Sequence, residues 1–151
     1  MSAVLATNLT KFYNLNRALD NFSIEVPKQS VFALLGPNGA GKTTFIKCLL
    51  DLVRFSSGTL LINDGKVRNY QARKSVSYLP ERFTFHPYYK ARSVIEFYAK
   101  IKEIPKEDVS SKVDSVLSQT GMGDLANRRM SEMSKGQKQR VGIATLLLND
   151  S

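Results

Sequence analysis

The sequence predicts a mixed α/β fold whose centre is a glycine-rich loop between a buried strand and a helix. Residues 30–35 form a short apolar run bounded by turn-forming residues, which is typical of a buried strand. After the loop, apolar residues recur at helical spacing as far as Val53. Strand patterns dominate before residue 80 and helix patterns dominate after it, so the chain is expected to contain a sheet part and a helical part.

Four further strands flank this central unit in the sequence pattern. Residues 4–13 and 19–26 predict two strands joined by the turn at 14–17, and Pro27 ends the second. Residues 59–62 predict a third strand, closed by the tight-turn sequence Asn63-Asp64-Gly65. A fourth short strand is predicted at residues 76–79 and stops at Pro80.

Three helices are predicted in the second half of the chain. Ser93 and Glu96 have the spacing of a capping box and predict the start of the first of these helices. Pro105 is suited to opening the second helix, and Gly121 lies near its end. Ser134 and Gln137 have capping-box spacing at the start of the third. The expected buried positions of the last two helices are Val109, Val113, Val116 and Leu117, then Val141, Ala144, Leu147 and Leu148.

Composition places the chain among globular domains. Its 151 residues are 42% hydrophobic and 23% charged, and no stretch has the roughly 18 apolar residues of a membrane span. The first residues lack the layout of a signal peptide. The single cysteine, Cys48, cannot form an internal disulfide, which favours a reducing compartment and a small buried residue rather than a reactive thiol.

The net charge of +9 permits binding to nucleic acid or to an anionic membrane face. The basic residues are scattered, however, without a block of five or six like charges. A solvated basic surface is therefore the favoured interpretation. The one histidine, His86, is interpreted as a surface or partner-facing loop residue rather than a ligand.

The loop matches the phosphate-binding pattern G-x-x-x-x-G-K-[ST]. A strand, a glycine loop and a helix N-terminus bring backbone N–H groups and a positive helix end to one point, which suits a phosphate chain. Lys42 is expected to reach the β- and γ-phosphates, Thr43 to offer its hydroxyl to Mg²⁺, and Thr44 to donate to the α-phosphate. The alternative is a glycine turn that merely joins a strand to a helix. The predicted nucleotide-binding residues of this loop are Gly36, Asn38, Gly39, Ala40, Gly41, Lys42, Thr43 and Thr44.

A second motif, at residues 133–140, suggests the family. It resembles the signature motif of ATP-binding cassette (ABC) proteins, usually Leu-Ser-Gly-Gly-Gln followed by a basic helix. Here Met133 replaces the leucine and Lys135 replaces the first glycine, while Ser134, Gly136 and Gln137 are retained. The Ser-Lys-Gly version resembles exporters of the multidrug or ABC-2 type.

This resemblance implies a P-loop NTPase core of the RecA-like type with an antiparallel β subdomain and an inserted helical subdomain. It divides the chain into residues 1–80 (β subdomain and phosphate loop), 81–133 (the loop around Glu81 and the helical insert) and 134–151 (signature helix). In the family, the Walker B strand with its Mg²⁺-binding aspartate and catalytic glutamate follows the signature helix. The sequence is therefore expected to be the N-terminal part of a nucleotide-binding domain, truncated before that strand and inactive alone; Asp150 is not assigned that role.

The resemblance also implies several roles outside the phosphate loop. ATP lies between the loop of one subunit and the signature, Ser134 to Gln137, of a second subunit in a head-to-tail dimer. Tyr13 resembles the aromatic residue that stacks on adenine, although a tyrosine in the small core at the strand end is an alternative. Glu81 stands where the family has a glutamine that senses Mg²⁺ and water, and it is the second metal candidate beside Thr43. A solvated loop acid is the alternative for Glu81, and no catalytic residue is certain.

The predicted function is an ATP-hydrolysing subunit of an ABC transporter, with ATP and Mg²⁺ as cofactors. It would couple dimer closure to export by an integral membrane permease and lie on the cytoplasmic face of the cell membrane. Two alternatives stay open: a permease-free ABC-type ATPase acting on nucleic acid or ribosomes, and a nucleotide-binding module that does not hydrolyse. The short helical insert and the single cysteine argue against the first, and nucleic acid is not expected as a partner.

Overall fold

Residues 2–148 are described by the structure, a computed structural model. Within them the chain forms four strands and five α-helices. The strands are β1 Ser2–Tyr13, β2 Asn16–Pro27, β3 Ser57–Ile62 and β4 Gly65–Lys66. The helices are α1 Lys42–Leu49, α2 Tyr70–Arg73, α3 Ala91–Ile101, α4 Val109–Gln119 and α5 Lys135–Leu147.

The chain divides into two compact units, Met1–Val76 and Ser77–Ser151, each with its own hydrophobic core. The core of the first unit lies between the sheet and α1, and it contains Leu9, Leu19, Phe45, Cys48, Leu60 and Val67. The core of the second unit lies among α3, α4 and α5, and it contains Val94, Ile95, Val113, Leu117, Met130 and Val141. The functional subdivision at residues 80 and 133 stays a prediction.

The sheet is antiparallel, with the strand order β2-β1-β3-β4. The two predicted N-terminal strands are confirmed and extend by a few residues at their ends. The third strand and its tight turn are also confirmed: Asn63 and Asp64 have φ of 48° and 67°, and Ile62 pairs with Gly65. Positive φ at both central residues is the type I′ geometry, which matches the twist of the flanking strands.

Two predicted strands, 31–35 and 76–79, are wrong for the described structure, where both segments have irregular backbone. Val31 and Leu35 are 105% and 87% exposed, although their apolar character predicted burial. A strand exists only when a neighbouring strand accepts and donates its backbone hydrogen bonds. Neither segment joins the sheet formed within residues 2–148.

Helix α1 follows the glycine loop as predicted but ends at Leu49 rather than near Val53. Asp51 adopts a left-handed backbone with φ of 58°. The N–H of Asp51 donates to the Cys48 carbonyl at 3.0 Å, and the N–H of Leu52 donates to the Lys47 carbonyl at 2.9 Å. These two bonds form a Schellman motif, which ends the helix by satisfying its last carbonyl groups.

The capping box predicted at Ser93 and Glu96 is wrong, because the N-cap of α3 is Lys90, three residues before Ser93, and the helix begins at Ala91. The N–H of Ala91 donates to the Arg128 carbonyl at 3.1 Å, and the N–H of Arg92 donates to the Ala126 carbonyl at 2.9 Å. Backbone acceptors from another segment thus satisfy the first N–H groups of the helix. A side-chain cap is not needed there.

The other two helices of the second unit agree more closely with the prediction. Helix α4 begins at Val109, after a turn in which the N–H of Asp108 donates to the Pro105 carbonyl at 2.9 Å, and its predicted positions Val113, Val116 and Leu117 are buried. Gly121 ends it with φ of 64°. Helix α5 begins after Ser134 as predicted. Within residues 2–148, none of the helices has the length and apolar character needed to cross a bilayer.

Candidate nucleotide-binding site

The glycine-rich loop curls back on itself before it enters α1. Gly39 and Gly41 have φ of 86° and 87°, a left-handed backbone that glycine adopts without the steric cost of a Cβ atom. The N–H of Ala40 donates to the Pro37 carbonyl at 3.2 Å and closes the turn. The loop therefore encloses a small space in front of the helix N-terminus.

Gly41 also fixes the loop against the sheet. A Cβ atom on this residue would lie 2.5 Å from the carbonyl oxygen of Ala18 and 2.8 Å from Cδ2 of Leu19. Any side chain would therefore push the loop away from β2. Beside this contact lies a cavity of about 60 Å³, lined by Leu19, Phe22, Leu34, Leu35, Ala40, Gly41, Lys42 and Phe45.

The N-terminus of α1 is open to an anion. Its N-cap residue, Gly41, has no side chain, and its first turn contains no acidic residue. Within residues 2–148, the backbone N–H groups of Lys42, Thr43 and Thr44 have no acceptor. Together with the positive end of the helix dipole, these groups form the donor set that binds phosphate in proteins.

The side chain of Lys42 folds into the curl of the loop. Its ammonium donates to the carbonyl oxygens of Gly36 and Pro37, each at 2.6 Å. Lysine has three donors on a flexible stem, so the ammonium can exchange these carbonyl oxygens for phosphate oxygens. The structure therefore places a positive charge within the curl of the loop that precedes α1.

Behind the loop, α1 is anchored by buried side chains. Phe45 packs on Phe22 of β2 with ring centroids 5.0 Å apart. Cys48 is fully buried, as predicted. Burial raises the pKa of its thiol, and the charge of Lys11 opposes that rise. The thiol is therefore protonated near neutral pH and acts as a small apolar residue.

The signature residues lie at the exposed N-terminus of α5. The predicted capping box is confirmed: the N–H of Gln137 donates to Oγ of Ser134 at 3.2 Å, and the N–H of Ser134 donates to Oε1 of Gln137 at 2.9 Å. Ser134, Lys135 and Gly136 are exposed, and the space beside Gly136 is open. Met133 is buried in the core of the second unit, so the segment is anchored by its apolar residue and presents its polar ones.

Tyr13 lies at the end of β1, where it pairs with Asn16 across the hairpin. Its side chain is 39% exposed, and the ammonium of Lys11 lies 4.6 Å from the ring centroid. Lys11 pairs with Leu19, the residue against which Gly41 packs. The hairpin that carries the tyrosine is therefore the same one that supports the phosphate loop.

The two metal candidates lie in different units. Thr43 is exposed on the first turn of α1, and Glu81 is exposed in a bend at the start of the second unit. Among residues 2–148, no group of three His, Cys, Asp or Glu side chains could hold a metal ion. A single hydroxyl fits Mg²⁺ that is bound mainly through nucleotide phosphates, because that ion often takes only one or two protein oxygens.

An aromatic cavity in the second unit was not predicted from the sequence. It has a volume of about 410 Å³ and is lined by Thr84, Phe85, His86, Tyr89, Ser93, Val94, Phe97 and Tyr98. The ring of His86 lies against Tyr88 and Tyr89, with centroids 5.6 Å and 5.2 Å away. The high density of aromatic residues after position 82 is the sequence feature that could have predicted this cavity.

The chain is similar in sequence to known proteins of one family. Residues 19–151 match the ABC transporter family, and the chain belongs to that family. SkfE of Bacillus subtilis, the SkfA peptide export ATP-binding protein, is 32% identical over 100% of this chain and 63% of its own length. CysA of Mycobacterium tuberculosis, a sulfate/thiosulfate import ATP-binding protein, is 32% identical over 98% of this chain and 42% of its own length.

Solved structures confirm the predicted fold class. The structure of cbiO1 from Clostridium perfringens, part of the ABC transporter complex cbiONQ, matches with a TM-score of 0.84 and 26% identity, over 97% of this chain and 61% of that one. The ATP-binding subunit of another ABC transporter matches in fold with a TM-score of 0.80 and 22% identity, over 97% of this chain and 62% of that one. The chain thus spans less than two thirds of the length of each of these relatives.

Proposed function

We propose that this chain is the ATP-binding part of an ABC transporter subunit that hydrolyses ATP with Mg²⁺ and drives export by a membrane permease. The observation that carries the proposal is the phosphate loop: the Lys42 ammonium lies in its curl, and the three N–H groups at the start of α1 have no acceptor within residues 2–148. Family membership and the ATP-binding relatives support the same conclusion.

The backbone of the loop and three side chains have defined tasks in this proposal. The N–H groups of α1 and the loop bind the phosphate chain, and Lys42 exchanges the carbonyl oxygens of Gly36 and Pro37 for phosphate oxygens. Thr43 contributes its hydroxyl to the bound cation, and Tyr13 presents an exposed ring to adenine. Mg²⁺, when bound with ATP, neutralises charge on the phosphates.

The second half of the site comes from another subunit. Ser134 and Gly136 are exposed at the N-terminus of a helix of 13 residues, with open space beside the glycine. That arrangement suits contact with the γ-phosphate of ATP held by a partner. We therefore propose a head-to-tail dimer that closes on ATP and opens after hydrolysis.

The permease is proposed to dock on the second unit, at the cytoplasmic face of the cell membrane. The aromatic cavity there is lined on one side by residues 84–86, which follow the loop around Glu81, and on the other by α3. The similar protein cbiO1 is itself part of a transporter complex, which supports a docked partner here. Export is proposed from the Ser-Lys-Gly signature and from the similarity to the peptide export protein SkfE, although importers such as CysA also match.

The test is the Lys42→Ala variant of the intact protein, assayed for MgATP affinity and for phosphate release. Losing a charge-assisted contact worth about 1.5–3 kcal/mol should weaken ATP binding roughly 10- to 100-fold and abolish turnover. Lys47→Ala is the matched control, because Lys47 is exposed in the last turn of the same helix. Unchanged turnover in Lys42→Ala would contradict the proposal.

The same experiment separates the alternative functions. Wild-type protein that binds ATP with Lys42-dependent affinity but releases no phosphate would be a nucleotide-binding module that does not hydrolyse. Turnover stimulated by RNA or ribosomes, but not by membranes that contain the permease, would indicate a permease-free ATPase. Stimulation by those membranes supports the transporter.

A further inference from the structure

The phosphate loop contains an asparagine followed directly by a glycine, Asn38-Gly39, and this dipeptide occurs once in the sequence. Both residues are exposed. The space beside Gly39 is open, since a Cβ atom there would meet no atom within 4 Å. The side-chain amide of an asparagine can react with the backbone nitrogen of the next residue, and glycine hinders this approach least because it has no side chain. The loop therefore contains the least hindered position for this reaction in the chain.

The groups that would react are not held by hydrogen bonds. Within residues 2–148, the side-chain amide of Asn38, its carbonyl oxygen and the N–H of Gly39 all lack a hydrogen-bond partner. The surrounding turn is closed by the bond from the N–H of Ala40 to the Pro37 carbonyl, at 3.2 Å. The peptide between Asn38 and Gly39 can therefore rotate without breaking a hydrogen bond of its own.

The other asparagines of the sequence differ from Asn38, because each is followed by a residue with a side chain. Some are also held in place. Oδ1 of Asn69, for example, accepts the N–H of Gln71 at 3.0 Å and caps α2. Asn14 is as exposed as Asn38 in the same unit, but Leu15 follows it. Asn14 is therefore an internal control for the effect of the following residue.

We propose that Asn38 is a site of spontaneous modification, which inactivates the phosphate loop only while the loop is empty. The nitrogen of Gly39, after losing its proton to solvent base, forms a bond to Cγ of Asn38, and the bond from Cγ to Nδ2 breaks. The Nδ2 group takes up a proton from water and leaves as ammonia, so a cyclic imide remains. Water then opens the imide at either of its carbonyl groups, which yields aspartate or isoaspartate without oxidation or reduction.

Either product changes the phosphate loop. Aspartate adds a negative charge beside the expected position of the phosphate chain and repels it. Isoaspartate also routes the backbone through the former side chain, which lengthens the turn that the bond between Ala40 and Pro37 closes. Protection of the site rests on the proposed function: bound nucleotide would accept the N–H of Gly39 and hold the turn closed. The reaction is therefore expected to stop while nucleotide is bound.

The test uses the intact wild-type protein, incubated at mildly alkaline pH with and without Mg²⁺ and a non-hydrolysable ATP analogue. Trypsin cleaves after lysine and arginine, so Asn38 lies in the peptide of residues 29–42 and Asn14 in that of residues 12–17. Mass spectrometry should find aspartate and isoaspartate at Asn38 of the empty protein well before Asn14 changes. At an analogue concentration of about 100 times Kd, the rate at Asn38 should fall roughly 100-fold, because only the empty protein reacts.

Two variants connect the modification with binding. Asn38→Gln closes a larger ring, which forms far more slowly. Its MgATP binding should therefore not decline during the incubation, whatever its starting affinity, whereas that of empty wild type should decline in step with the modified fraction. Asn38→Asp reproduces one product and should weaken MgATP binding roughly 10-fold or more.

The inference is overturned if Asn38 stays unmodified, if it changes no faster than Asn14, or if the analogue binds without slowing the reaction. MgATP affinity of Asn38→Asp equal to that of wild type would overturn it as well. Any of these results with Lys42-dependent turnover intact leaves the proposed function standing. Modification of Asn38 in a wild-type protein without Lys42-dependent ATP binding would overturn the proposed function and the protection by nucleotide, and would leave Asn38 as a modification site.

Discussion

Lys42 is already hydrogen-bonded before any nucleotide arrives. Its ammonium holds two carbonyl oxygens of its own loop at 2.6 Å. In the proposed site, binding of phosphate exchanges one set of oxygen partners for another, and the free energy gained is the difference between the two sets. We propose that the terminal phosphate replaces these carbonyl oxygens, because a charged acceptor forms a stronger hydrogen bond than a neutral carbonyl.

At the same scale, Tyr13→Ala should weaken MgATP binding roughly 5- to 100-fold, because stacking of a base on an aromatic ring is worth about 1–3 kcal/mol. Tyr13→Phe keeps the ring and should bind as wild type does. Equilibrium binding of a fluorescent ATP analogue to the intact protein measures both. Tyr70→Ala is the control, since Tyr70 is another exposed tyrosine of the first unit. Equal affinities for Tyr13→Ala and Tyr70→Ala would mean that Tyr13 has only a structural role in the hairpin and does not stack on adenine.

Among the elements, those defined by local signals were predicted best. The type I′ turn at Asn63 and Asp64, the Gly121 helix end and the Ser134 capping box each depend on residues close in sequence, and each is present. The backbone curl of the phosphate loop belongs to the same class, because Gly39 and Gly41 supply the positive φ that it needs, whereas the contact of Gly41 with β2 is not visible in the sequence.

The elements that were wrong depend on distant partners. Ser93 resembles an N-cap, yet the carbonyl groups of Ala126 and Arg128 satisfy the start of α3. Residues 31–35 have strand composition, yet within residues 2–148 no strand pairs with them. Sequence patterns report burial and propensity but not the identity of the partner.

Met133, the buried residue before the N-cap of α5, is expected to hold the signature segment in place. Met133→Ala should lower the free energy of unfolding by about 2–5 kcal/mol, because it leaves a cavity in the core of the second unit. Met133→Leu conserves volume and should cost less than about 1.5 kcal/mol. Urea denaturation of the intact protein measures both changes. A Met133→Ala midpoint equal to that of wild type would mean that this residue does not anchor the segment.

On the scale of the whole molecule, the proposal requires two copies for one complete site. Ser134→Arg should abolish ATP-driven dimerisation while ATP binding by the monomer persists, because a long charged side chain would occupy the exposed space where the partner's phosphate is expected. Light scattering with and without MgATP measures the change in mass. Ser118→Arg is the control on exposed α4 surface. ATP-dependent dimers of Ser134→Arg would refute the role of the signature in trans.

The irregular run at residues 31–35 has one more consequence, for behaviour in solution. It is apolar, uncharged and without proline, and its Val31 and Leu35 side chains are 105% and 87% exposed. Segments of this kind pair with copies of themselves and can nucleate aggregates. Covering these five residues is therefore expected to raise the solubility of the chain.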